Sequence, residues 1–251
     1  MNHHLTIITG ASRGMGLAMA EQLIDAGHDL LCISRSHSDS LGVRATAKGV
    51  RCEQWPQDLA RPEVAALRLE GWLAGKNAAS FASVTLINNA GLVTRMAPLS
   101  QTPASELAEG LRVDLEAPLL LTSVFLRGTA DWPGQRKVLN ISSGLGRRPM
   151  ASAALYCAAK AGMDHFTRCV ALEEEHQPNG ARVCSLAPGV IDTDMQVQLR
   201  SADASQFPDV GNFIGLKEKG MLSSPAEAAA RVLAVLARPD FGSNPVADVR
   251  D

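Results

Sequence analysis

The 251-residue sequence predicts an α/β fold: a single doubly wound domain over residues 1–251, with a mostly parallel seven-stranded sheet flanked by helices on both faces. Three observations lead there. Short β-branched apolar runs alternate with longer stretches of helical period, the order that parallel strands joined by crossovers require. The strand runs are almost continuously apolar, as expected of strands covered on both sides. No repeat, low-complexity linker or break in composition divides the chain.

Taken in order, the strand runs are "LTIIT" (5–9), "LLCIS" (30–34), "VRCEQW" (50–55), "VTLIN" (84–88), "KVLNIS" (137–142), "ARVCSLA" (181–187) and "VADV" (246–249). The first helix, "GLAMAEQLIDAG" (16–27), ends on Gly27, a residue suited to the C-terminal cap. Helical stretches at 102–128 and 224–238 each open with Thr-Pro or Ser-Pro, where proline suits the first turn. Pro118 lies inside the former and should bend or interrupt it. Residues 192–224 mix Met, Phe, Gly and charges without firm periodicity, and are expected to form a substrate lid. Met195, Phe207, Phe213 and Met221 in that stretch read either as pocket walls or as core.

The 24 basic and 26 acidic residues nearly cancel, so there is no basic footprint for nucleic acid or an anionic membrane. No apolar run approaches the roughly 20 residues that span a bilayer. The first residues enter a strand pattern at once, without the basic start and apolar stretch of a secretion signal. Five cysteines (32, 52, 157, 169, 184) contain no C-x-x-C pair and are odd in number, which suits reduced thiols in a cytoplasmic protein. No metal is expected, and His3 and His4 read as surface residues without a ligand cluster.

"TGASRGMG" (9–16) follows the first strand and opens the first helix. Gly10, Gly14 and Gly16 let the backbone turn tightly and approach a pyrophosphate at the helix N-terminus, with Ser12, Arg13 and Met15 in the same loop. The spacing is G-x-x-x-G-x-G, so strand–turn–helix context carries the nucleotide reading. At the end of the second strand, where an acid would hold a ribose 2′-hydroxyl, the chain reads Ser34-Arg35. Arg35 alone could be an exposed strand-end charge. With Arg13 it forms a pair of guanidiniums suited to a 2′-phosphate, and so to NADPH/NADP+.

Tyr156, the only tyrosine, stands one helical turn before Lys160. On an arbitrary helix such a pair means nothing. Beside a fixed cation, however, a phenol is expected to ionise more easily and to serve proton transfer near neutral pH. Ser143, thirteen residues earlier at the end of a strand, adds a hydroxyl that can hold a carbonyl oxygen beside the phenol.

Together, "TGASRGMG", Asp58-Leu59, "NNAG" (88–91), Ser143, Tyr156/Lys160 and "PGVIDT" (188–193) stand in an order that resembles the short-chain dehydrogenase/reductase family over nearly the whole chain. The resemblance implies a Rossmann-type fold, with Tyr156 as proton donor, Ser143 orienting the substrate, and Lys160 lowering the phenol pKa while holding the nicotinamide ribose. It places Asp58 and Leu59 at the adenine, Asn89, Ala90 and Gly91 beside its ribose, and Pro188, Gly189, Val190, Thr193 and Met195 at the nicotinamide. Asp114 occupies a position where the family usually carries a catalytic Asn. An ionised carboxylate only accepts hydrogen bonds, so its role is left open. A homodimer through the helices of residues 103–127 and 155–176 is likewise implied by resemblance alone.

The stretches "LYCAAKAG" (155–162), "ALEEE" (171–175), "SLAPGVIDTDMQ" (185–196) and "VADVRD" (246–251) look like those of sepiapterin reductases and their bacterial relatives, including benzil reductases, which reduce a small-molecule carbonyl, often one of a vicinal pair, with NADPH. By that likeness Asp248 would anchor a pterin; read plainly, it is also a solvated acid at a charged chain end. Leu145 and Met150, just past Ser143, are further candidates for the substrate pocket. The expectation is a sepiapterin-reductase-like carbonyl reductase. A 1,2-diketone or xenobiotic reductase without a pterin role is the alternative, and an inactive NADPH-binding sensor is a third reading.

Overall fold

A computed structural model describes residues 3–251, and each predicted strand run forms a strand: β1 (His3–Thr9), β2 (His28–Ser34), β3 (Cys52–Pro56), β4 (Phe81–Asn88), β5 (Gln135–Ile141), β6 (Arg182–Ala187) and β7 (Val246–Asp248). They make one sheet in the order β3-β2-β1-β4-β5-β6-β7. Every pairing is parallel, so the expected "mostly parallel" sheet is wholly parallel. The order reverses between β1 and β4, and the crevice that such a reversal opens at the carboxyl ends of the strands is where α/β sheets bind ligands.

Both faces are covered. Successive residues of one strand point to opposite sides, so neighbours such as Ile7 and Ile8, each fully buried, serve two different cores. On one face Ile8, Leu30, Cys32, Ile87 and Leu186 pack with Met19 and Leu23 of α1 (Gly14–Asp25), Leu41 of α2 (Asp39–Lys48) and Val232 of the helix at Pro225–Ala237. On the other, Leu5, Ile7, Leu31, Val84 and Val138 pack with Leu69 of α3 (Pro62–Ala74) and with Leu121 and Phe125 of the helix at Ala117–Gly128. Gly27 adopts φ +86° just past α1, as its reading as a helix terminator requires.

Pro118 does interrupt its helix, and in a specific way. The stretch divides into α4 (Ala104–Leu111), a π-helical turn (Arg112–Glu116) and α5 (Ala117–Gly128). Proline has no N–H for the carbonyl four residues back, and its ring crowds that group. Here that carbonyl belongs to Asp114, and the widened turn, closed by Ala117 N–H to the Arg112 carbonyl, accommodates it. The sequence irregularity thereby places Asp114 in a wide turn that aims it inward.

The C-terminal half adds α6 (Ala154–Glu175), α7 (Asp194–Arg200), α8 (Val210–Glu218) and α9 (Pro225–Ala237). Ser224 and Glu227 cap α9 reciprocally, as its Ser-Pro start promised. Residues 192–224 prove more ordered than their sequence suggested, for they contain α7 and α8. This excursion is tied at its base by a parallel bridge between Ile191 and Ser223, with Asp192 N–H donating to the Ser223 carbonyl (2.9 Å) and Ser223 N–H to that of Val190 (3.0 Å).

Candidate active site

A cavity of about 700 Å³ opens at the carboxyl ends of the strands. Its wall includes Gly10, Ser12, Arg13, Gly14, Met15, Gly16, Ser34, Arg35, Asp58, Leu59, Asn89, Ala90 and Gly91 at one end. Ser143, Leu145, Tyr156, Lys160, Pro188, Gly189, Val190, Thr193, Met195 and Asp248 line the other. Two predicted site residues do not line it. Asp114 is buried behind the wall, and Met150 packs into the adjoining apolar cluster with Tyr156, Met195, Leu199 and Phe213. Of the other pocket-wall candidates Phe213 lines the cavity, while Phe207 is fully buried core and Met221 is an exposed residue away from it.

The glycine-rich turn is built by close backbone approach. Gly10, at φ +69°, donates its N–H to the Ile33 carbonyl at 2.8 Å. A Cβ on Gly16 would lie 2.1 Å from the Gly10 carbonyl oxygen, so only glycine fits there. Thr9, which the motif reading passed over, is the knot beneath: its buried hydroxyl accepts the N–H groups of both Asn89 and Ala90 at 2.9 Å. Asn89 in turn donates to the Thr9 carbonyl at 2.9 Å. A hydroxyl at a strand end immediately before the first glycine was the available signal. The first turn of α1 has no acid and no side-chain cap, so its amides and the positive end of the helix dipole favour an anion.

At the end of β2 the two polar residues separate in role. The Ser34 hydroxyl accepts the Ala11 N–H at 2.8 Å, fastening the loop to β2. Arg35 is exposed and has no side-chain hydrogen-bond or ion-pair partner among the described residues. Arg13 differs from its expected part: instead of standing free as a second guanidinium, it pairs with Asp194 of α7 at 2.6 Å, with both side chains exposed. Asp58 uses one carboxylate oxygen to accept the Ala60 N–H at 3.0 Å, and Leu59 packs into the core.

At the other end, β5 and α6 position Ser143, Tyr156 and Lys160. Below them Asn88 donates to Asn140 (2.8 Å) and to Thr122 (3.1 Å), while Asn140 donates to Thr167 of α6 (2.9 Å), a polar seam through the otherwise apolar layers. Ser143 caps a short turn, its hydroxyl accepting the Leu145 N–H at 3.2 Å. The Lys160 ammonium, 3% exposed, donates to the Ile141 carbonyl at 2.9 Å and lies 5.6 Å from the centre of the Tyr156 ring. One turn further along the same face of α6, buried Asp164 accepts from the Ser185 hydroxyl (2.6 Å) and from Arg147 (3.2 Å). Arg147 also donates to the Ala247 carbonyl of β7 at 2.8 Å.

Asp114 accepts the Leu92 N–H at 2.8 Å and is 2% exposed. Burial pushes its carboxyl up to about 6, against the opposing pull of Lys160 and of that N–H. Burial also draws the Lys160 ammonium down, with Asp114 and Asp164 acting the other way. The Tyr156 phenol is pushed up, first by burial and then by the negative charge of Asp114, with the Ser143 hydroxyl pulling it down. The expectation that Lys160 leaves this phenol easy to ionise is therefore corrected for the protein alone: desolvation outweighs a cation that Asp114 partly balances.

On the substrate side Asp248 is not a free carboxylate. Arg250 grips it in a bidentate pair at 2.7 and 2.6 Å, with Asp248 11% and Arg250 72% exposed. That pair holds its carboxyl below the usual carboxylate range. Val93, Met96, Arg148, Gln196 and Leu199 also line this end of the cavity and went unnoticed in the sequence, where they belong to three separate segments. Among the described residues all five cysteines are free, no three His, Cys, Asp or Glu side chains gather as a metal site, and no helix is long and apolar enough to cross a membrane.

Residues 4–204 match the family model described as short chain dehydrogenase. The chain is 34% identical to a benzil reductase ((S)-benzoin forming) of Bacillus cereus, over 94% of each chain. It is 32% identical to the sepiapterin reductase of Xenopus tropicalis, over 98% of this chain and 96% of that one. In structure it resembles a short chain dehydrogenase/reductase of Saccharomyces cerevisiae with a TM-score of 0.82 at 22% identity, covering 99% of this chain and 96% of the other. With the family's motif residues gathered around one cleft, the chain belongs to the short-chain dehydrogenases and is an oxidoreductase.

Proposed function

We propose that the protein is an NADPH-dependent carbonyl reductase acting on a small ketone, with a vicinal diketone of the benzil type as its substrate class. The observation that carries this reading is the placing of Ser143, Tyr156 and Lys160 in the wall of the same cavity that holds, at its other end, the glycine-rich turn, the uncapped start of α1 and the unpartnered Arg35. The acid-free helix N-terminus fits a pyrophosphate, and Arg35 fits a 2′-phosphate. Gly10, Gly14, Asn89, Gly91, Lys160 and the Pro188–Thr193 segment would hold the rest of the dinucleotide. When bound, the reduced nicotinamide supplies a hydride to the carbonyl carbon.

This chain's own residues manage the oxygen. Ser143 and Tyr156 hold the carbonyl oxygen with two hydroxyl donors, and Tyr156 gives its proton as negative charge develops there. A phenol held above its ordinary pKa by burial is fully protonated at neutral pH, as a proton donor in the reducing direction must be. Lys160, anchored by Ile141, stabilises the phenolate left behind. The apolar cluster of Val93, Met96, Leu199 and Phe213 suits flat, water-poor substrates and keeps bulk water from the reacting oxygen. The 192–224 excursion, with α7 and α8 over this end, is the substrate lid of the proposal. Five free thiols suit a cytoplasmic setting, and a homodimer through α4, α5 and α6 is retained, supported by the exposed Leu111 and Leu119.

A pterin substrate is the second reading. It is favoured by the sepiapterin reductase relatives and by Asp248 in the cavity wall. The Arg250 pair weighs against it, because a pterin anchor needs that carboxylate for its own N–H donors.

Tyr156→Phe is expected to lower the turnover of benzil by about 10²–10⁴-fold while fluorescence titration shows NADPH binding almost unchanged; retained turnover would remove Tyr156 as proton donor. Arg35→Ala should raise KM for NADPH about 10–100-fold, the worth of a charge-assisted contact, and leave KM for NADH where it was. Equal use of both coenzymes by the wild type would sink the 2′-phosphate assignment. Arg250→Ala frees Asp248, so kcat/KM for sepiapterin should rise severalfold and fall back in the Arg250→Ala, Asp248→Asn double variant; no change in either variant would exclude Asp248 as a pterin anchor.

A further inference from the structure

Among the described residues, one ion pair joins the glycine-rich turn to the 192–224 excursion: Arg13 Nη1 donates to Asp194 Oδ2 at 2.6 Å. Both residues line the cavity. Arg13 stands where α1 begins, beside the acid-free amides that suit a pyrophosphate, and Asp194 opens α7 directly after Thr193. The two segments converge at the same place, because a Cβ on Gly14 would lie 3.5 Å from the Thr193 methyl. The pair therefore crosses the cleft between the end that holds Arg35 and the end that holds Tyr156.

The post on which Asp194 stands is fixed. Asp192 donates its N–H to the Ser223 carbonyl at 2.9 Å, and its carboxylate pairs with Lys217 at 2.5 Å and with Arg200 at 3.7 Å. Further along α7 the Gln198 amide donates to the Val93 carbonyl at 2.8 Å, and Leu199 packs into the apolar cluster. The soft link is the pair itself. The Arg13 and Asp194 side chains are 65% and 73% exposed, and an exposed pair is weak enough to open and close readily. Arg13 commits only Nη1 to it, so its other N–H donors remain available to a phosphate oxygen. Asp194 draws that guanidinium toward α7 on the nicotinamide side, and so toward the pyrophosphate rather than the 2′-phosphate assigned to Arg35.

We propose that Asp194 is a positioning residue for the coenzyme: it holds Arg13 across the pyrophosphate, and the pair acts as a strap that slows coenzyme release. The chemistry it retains is a dinucleotide diphosphate, with or without a 2′-phosphate. Asp194 also brings its own negative charge toward the same phosphates, so the strap requires its hold on Arg13 to outweigh that repulsion. This assignment rests on the nicotinamide-coenzyme reading above and deepens it by naming what keeps the coenzyme in place.

The test is stopped-flow release of bound NADPH and NADH, read by coenzyme fluorescence, from the wild type, Asp194→Asn, Asp194→Glu, Arg13→Met and the Arg13→Met, Asp194→Asn double variant. Asp194→Asn should release both coenzymes about two- to fivefold faster, the worth of an exposed ion pair. High salt, which screens such a pair, should close the gap to the wild type. Asp194→Glu, which keeps the carboxylate, should restore slow release. In the Arg13→Met background Asp194→Asn should add nothing, which separates a role through Arg13 from general support of α7. Unchanged or slower release from Asp194→Asn, or the same acceleration with and without Arg13, overturns the strap. Faster release of NADPH alone moves Arg13 to the 2′-phosphate and overturns it as well. A wild type that binds neither coenzyme overturns the coenzyme reading and the strap with it.

Discussion

The buried ammonium of Lys160 is the constraint around which this molecule is arranged. It is 3% exposed and donates to the carbonyl of Ile141 at 2.9 Å, so it joins the second turn of α6 to the last residue of β5. A cation out of water needs compensation from several directions. Here it comes from that carbonyl and from the charges of Asp114 and Asp164. Asp164 does more than balance charge. Through Ser185 and Arg147 it ties the same helix to β6 and to the approach of β7, so the helix that carries Tyr156 is held from several sides.

The rest of the site follows from bringing so many groups together. A Cβ at Gly91 would lie 3.3 Å from an Asp114 oxygen and 3.7 Å from the Lys160 nitrogen, and one at Gly146 would lie 3.0 Å from Asp164. Small residues thus clear the room in which the charges meet. Asp114 reaches that room because Pro118 forces a π-helical turn around it. Its carboxyl is pushed up to about 6 by burial, and in its ionised form it opposes a second negative charge on Tyr156. Where the family usually carries a neutral amide, this chain places a carboxyl whose charge adds to burial in opposing ionisation of the phenol.

Much of this was legible in the sequence, for identifiable reasons. Strand positions showed because a sheet covered on both faces demands unbroken apolar runs, as at Ile7, Ile8, Leu30 and Leu31. The glycine-rich turn showed because Gly10 and Gly16 admit no Cβ. Three things did not show. Arg13 meets Asp194 across 181 positions of sequence, a contact only the folded excursion creates. Asp248 and Arg250 are two residues apart, yet whether they pair or diverge depends on the turn that follows β7. The direction of the Tyr156 shift was misread because helical spacing reveals the nearby cation but neither the depth of burial nor the opposing acid.

Tyr156 is the only tyrosine in the chain, so the near-ultraviolet absorbance of phenolate titrates this one group. In the cofactor-free wild type the phenolate is expected to form only above the ordinary value near 10, and Asp114→Asn should bring its midpoint down by removing the neighbouring charge. Ionisation at or below that ordinary value in the wild type, or a midpoint that Asp114→Asn leaves in place, would contradict the balance of burial, Asp114 and Lys160 described for this site.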